Sequence, residues 1–151
     1  RLVVLTQMST SSRDVVLDEA QKFDKVINED MSEITRNLES SSELKFLQSA
    51  QISGIKGNDA HGKALVISNG YTTYLRLEDF AVVNGIDQHI YFTKSGNIAN
   101  GIDVGKLKAN KGSQNYQITE IDSKQYNQII IYSKPFDTYY ASASLTKIGS
   151  N

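Results

Sequence analysis

From Leu44 onward the apolar residues of the chain recur with a period of two, and turn residues punctuate them. That period puts alternate side chains on opposite faces of an extended strand, so it argues against a helical or α/β design for most of the chain. "KALVIS" (63–68) and "YTTYLRL" (71–77) flank Asn69-Gly70, a pair that tolerates positive φ and predicts a hairpin. "HIYF" (89–92) follows Asn84-Gly85, and "NYQIT" (115–119) follows Gly112. "NQIIIY" (127–132) is apolar without alternation, which predicts a central strand covered on both faces. "TYYASASL" (138–145) alternates again, with Tyr139, Ala141, Ala143 and Leu145 expected on one face and Tyr140, Ser142 and Ser144 on the other. The expected fold class is all-β, an antiparallel β-sandwich or barrel of about eight strands.

Before Leu44 the pattern differs. Val16, Ala20, Phe23, Ile27, Met31, Ile34 and Leu38 recur at spacings of three and four, which predicts one long amphipathic α-helix over residues 13–38. Ser11 with Asp14 has capping-box spacing, and Ser40–Ser42 would end the helix. Two domains are therefore expected: an N-terminal helical segment over 1–42, and a β domain over 43–151. The helix either lies on the β domain or acts as a stalk or docking helix. Phe23, Ile27, Met31 and Ile34 are the interface candidates.

Composition narrows the function. The chain has 151 residues, a net charge of −1 and no cysteine. Disulfides and thiolate metal sites are excluded, although the compartment is not fixed by that absence. No block of like charge marks a nucleic-acid binder. No apolar run is long enough to span a membrane. The chain opens on Arg1 rather than Met, so either a processed product or a trimmed chain, with an anchor removed from upstream, is expected. None of the common hydrolase, phosphate-loop, dinucleotide or zinc-protease motifs occurs, and the chain is not expected to be an enzyme.

Candidate site residues are few. "GNDAHGKA" puts Asp59 and His61 in a glycine-flanked loop, where they form a weak two-ligand metal candidate. The plainer reading is a turn-capping aspartate beside a histidine bonded to backbone. His89 alternates with Ile90 and Phe92 and is expected to face away from them, partly exposed. Glu78 and Asp79 are adjacent, so they point to opposite faces and make a poor acid–base pair. The polar segment 108–118 is either a substrate loop or, on the plainer reading, a turn whose Asn and Gln satisfy backbone groups.

Several segments fall together in one order. "HGKA", "LRLEDF", "NG-D--IYF", "GKLKANKGSQNYQI", "YNQIIIYSKPF" and "ASASL" resemble the DM-thirteen domain, the electron-transfer DM family also found in Skeletor-type proteins. The resemblance covers about residues 45–147, and its form is similar to short archaeal and bacterial members. It implies an all-β sandwich, export to the cell surface, and attachment to a membrane through an N-terminal segment. It also implies a part in redox chains, centred on a cysteine in a "WCKPF"-like strand end. This chain carries Tyr132-Ser133 at that position, Ile86 where proline usually follows "NG", and Thr119 where proline usually follows the "YQI"-type segment. His61 matches the family's loop histidine.

Serine is nearly isosteric with cysteine, but a hydroxyl has no accessible thiolate, disulfide or sulfenic state. Ser133 is expected to be at least partly buried, with its hydroxyl bonded to backbone. The function expected is a non-catalytic extracytoplasmic binding or assembly domain with a protein partner or a second copy. It carries no cofactor and contacts no nucleic acid. The alternative is an electron-transfer accessory that binds haem or copper.

Overall fold

The computed structural model describes residues 24–36, 38, 43–119, 121–122 and 124–148. Among them are nine strands and one short helical turn. The strands are β1 (Lys45–Gly54), β2 (Ala60–Ser68), β3 (Thr73–Val82), β4 (Gln88–Lys94), β5 (Asn97–Lys106), β6 (Gln114–Ile118), β7 (Gln128–Ser133), β8 (Thr138–Ser144) and β9 (Thr146–Lys147). They form one sheet in the order β5-β4-β7-β8-β1-β2-β3-β6, and β9 continues beside β1 where β8 leaves off. Every strand pairing is antiparallel.

The sheet curls on itself. One cluster joins Ile90 and Phe92 of β4 to Ile52 of β1, Leu75 and Leu77 of β3, and Ile118 of β6. Strands that are distant in the sheet thus share one interior, and the fold is an all-β curled half-barrel. Alternation supplies its lining, because β1 turns Gln48, Ala50 and Ile52 inward in succession. β7 lies between β4 and β8, as its unbroken apolar run requires, and Ile129 to Ser133 are all buried. The Asn69-Gly70 hairpin forms as expected, with Gly70 at φ +91°. Asn69 does more than permit the turn. Its side-chain oxygen accepts from the Tyr71 and Thr72 amides, and its side-chain nitrogen donates to the Ile34 carbonyl.

The long amphipathic helix is not present in the described part of 13–38. Residues 24–30 carry no helix; Val26 bridges to Lys111, and the only helical turn is α1 (Ser32–Thr35). The helix loses to better-paired alternatives. Ile27 N–H donates to the Lys111 carbonyl and Glu29 N–H to the Ser113 carbonyl, giving these backbone groups partners that a helix would withdraw. Residues 24–36 therefore form a strap over the outer face of β2, β3 and β6. Ile34 is fully buried there with Leu65, Ile67 and Tyr74, and Met31 packs against them. Ile27 is half-buried. Ile34 is thus used within this chain and does not present an apolar stripe with Ile27 and Met31. Phe23 and the rest of the expected helix before it lie outside the described residues. Among the described residues no helix is long and apolar enough to cross a membrane.

Candidate functional site

Ser133 ends β7 and faces inward. It is fully buried, and its Oγ donates to the Ile86 carbonyl at 2.8 Å. Gln88, opposite it on β4, is also buried and donates from Nε2 to the Val83 carbonyl at 2.9 Å. The loop 83–87 is thereby folded over this end of the interior. Gly85 is required here, since a Cβ would run into the Tyr140 ring and hydroxyl. Serine fits because this end of the interior offers one backbone carbonyl to a small donor.

Tyr140 reaches that place through a bulge. The β7–β8 register shifts between Ile131 and Tyr132, so Ile131 pairs with Ala141 and Tyr132 pairs with Tyr139. The extra residue reverses the alternation expected from "TYYASASL". Tyr140 packs against the interior cluster, while Tyr139 joins Tyr132 on the outer face. Ala141 and Ala143 stay inward as expected.

The outer face of β4, β7 and β8 carries the chain's aromatic cluster. Tyr132 meets Tyr91 edge-on at 5.7 Å and Tyr139 at 4.8 Å between ring centroids. Lys56 Nζ lies 4.9 Å from the Tyr139 ring centre. The Tyr132 hydroxyl donates to Asp137 Oδ1 at 2.7 Å. That carboxylate, together with burial, pushes the Tyr132 phenol up to about 12.

His89 lies beside this cluster between two carboxylates, with Nε2 2.9 Å from Asp87 and Nδ1 3.0 Å from Asp103. Burial alone would lower its pKa. The hydrogen bonds and charges of Asp103 and Asp87 outweigh it, and the net shift is upward. His89 is partly exposed, as expected. Its carboxylate clamp was missed, because Asp103 comes alongside only through the β4–β5 register.

His61 lies in β2, opposite Ser53 and Ala81, not in a loop. The strand bulges at Gly62, whose φ of +130° and contact with the Phe80 backbone leave no room for a side chain. Both Asp59 and His61 are exposed, and no group of three or more His, Cys, Asp or Glu suited to a metal occurs among the described residues. Glu78 is used structurally, accepting from Arg76 Nε at 3.1 Å.

The 108–118 segment is the anchor of the strap. Asn110 donates to the Val82 carbonyl and to Asp24, and accepts from the Lys25 amide. Gln114 donates to the Ala109 and Gly112 carbonyls, and the Tyr116 hydroxyl donates to Gln114 Oε1. Asn115 and Arg76 both donate to the Asp30 carbonyl, and Lys108 pairs with Glu29 at 2.7 Å. The three buried amides have most of their polar atoms satisfied within this network, as burial demands.

Neither a curated protein nor a solved structure matches the chain. A family model does, that of electron transfer DM13, over residues 51–145. The matched span runs from β1 to the end of β8 and takes in the Ser133 end, the aromatic face and the strap anchor, so the chain belongs to the electron transfer DM13 family.

Proposed function

We propose that this chain is a non-catalytic binding and assembly domain, held outside the cytoplasm beside a membrane, that serves an electron-transfer system without carrying the electron itself. The observation behind this reading is Ser133. The position at which the family resemblance implies a thiol holds a fully buried hydroxyl already engaged by the Ile86 carbonyl. Such a group offers neither a nucleophile nor a redox couple. Exposed apolar residues on loops at the same end, Val83 and Phe136, suit contact with a protein partner. The test is purification from native membranes after mild cross-linking. A stoichiometric protein partner, or a defined homo-oligomer, is expected. A monomer with no partner would overturn the reading.

One observation favours a second reading, a redox accessory with a bound cofactor. The Tyr91–Tyr132–Tyr139 cluster, with Asp137 as proton acceptor for Tyr132, suits a one-electron relay to haem or copper. Visible absorbance and metal content of the native protein decide between them. A stoichiometric chromophore would establish the second reading and remove the first.

A further inference from the structure

The two ends of the curled sheet differ. At the Ser133 end the loop 83–87, Gln88 and Tyr140 fill the interior. At the other end, where β1 begins and β6 finishes, a cleft of about 760 Å³ opens between Val66, Phe92 and Ile118 inside and Phe46, Leu47 and Ile148 at the rim. That volume lies within the range of small-molecule sites, about 300–1,000 Å³, and an apolar wall with few polar groups is their usual make-up.

Gln48 marks this cleft. It is the first inward residue of β1, 9 % exposed, and lines the cavity. Its side-chain amide makes no hydrogen bond among the described residues, and no polar side-chain atom there is both sealed from solvent and unpaired, so the amide opens onto the cavity. Buried amides elsewhere in this chain, Asn110, Gln114 and Asn115, all have partners. An amide that opens onto a cavity and has no protein partner among the described residues is free to hydrogen-bond a molecule bound there.

The rim also has a sign. Lys45 and Lys147 line the cleft, and neither forms an ion pair among the described residues. The rim also holds one carboxylate, Asp122, which accepts from the Lys124 amide and from Gln125 Nε2, so the lining side chains carry two positive charges against one negative. Two lysines therefore line the rim on the same cavity as a buried amide that has no hydrogen-bond partner among the described residues.

We propose that this open end binds a carboxylated amphiphile, a fatty-acid-like molecule. Its chain enters between Val66, Phe92 and Ile118. Its head accepts a hydrogen bond from Gln48 Nε2 and lies near Lys147 and Lys45. The site is at the opposite end from Ser133 and stands whether or not the domain docks a protein.

The test uses the full chain with three probes of one chain length: dodecanoate, dodecanol and dodecyltrimethylammonium, each titrated calorimetrically below its micelle concentration. One saturable dodecanoate site is expected, with the cationic probe bound at least about tenfold more weakly. Gln48→Leu should weaken dodecanoate about fivefold while leaving the melting temperature of the free protein unchanged or higher, because no protein group among the described residues loses a side-chain partner. Lys45→Glu with Lys147→Glu should reverse the preference between the charged heads. Tyr71→Ser, at the exposed hairpin tip, should change nothing. Absence of saturable binding, equal affinity for the two charged heads, or unaltered binding by Gln48→Leu would each overturn the proposal. None of these outcomes bears on the partner reading, which co-purification tests.

Discussion

A Cβ on Gly112 would overlap the carbonyl oxygen of Ile27. Strap and sheet meet there backbone to backbone, and Gly112 also holds φ +102°. Gly112→Ala therefore meets two obstacles, a left-handed conformation and a direct collision. A loss of at least about 2 kcal/mol is expected, or roughly 4–8 °C in Tm for a chain of this size. Amide exchange at Ile27 and Glu29 should accelerate, since their bonds to Lys111 and Ser113 hold the strap. An unchanged melt would show that the strap is seated otherwise.

Ile34 fixes the other end of the strap. Ile34→Ala should cost about 2–4 kcal/mol, as a buried isoleucine with little room to collapse. Ile34 is buried against Leu65, Ile67 and Tyr74 of the sheet, which couples strap and sheet, so denaturant unfolding should remain a single transition. A second transition would reveal the strap as a separately melting unit.

His89 predicts a pH effect with a definite sign. Its folded-state pKa is raised above the ordinary 6.5 by Asp103 and Asp87. The stabilisation is fully present below about pH 6.5 and is lost as pH rises through the folded-state pKa. The partners are partly exposed, so the effect is about 0.2–1 kcal/mol. Wild type should exceed His89→Asn in stability at pH 5.5 by that amount, and the gap should narrow by pH 9. An imidazole signal titrating below 6.5 would contradict the clamp.

Ser133→Cys tests the enclosed hydroxyl. The variant should fold and lose about 1 kcal/mol, because S–H is the weaker donor to Ile86. Its thiol should react with a disulfide reagent only after unfolding. Rapid reaction in the native state would show that this end of the interior opens.

Much of the sheet was legible because strand alternation is a local property. The Asn69-Gly70 turn, the covered β7 and the enclosed Ser133 all follow from residues within a few positions of each other. The strap was not legible. Ile27, Met31 and Ile34 keep helical spacing, yet the backbone of Ile27 and Glu29 is claimed by Lys111 and Ser113, which lie far away in sequence. The His89 clamp and the place of Gln48 in the cleft were hidden for the same reason, since each is defined by what curls round to face it. The polar run 108–118 was read as a turn that satisfies itself, and it also grips residues 24–30.

A strand has a reading frame, and the bulge in β8 shifts it between two identical letters. Tyr139 and Tyr140 are the same residue side by side, yet one belongs to the aromatic surface and the other to the plug over Ser133. Deleting either leaves the same protein sequence, with a single tyrosine that must serve one compartment and vacate the other. The loss would be felt either at Gly85 or at Tyr132.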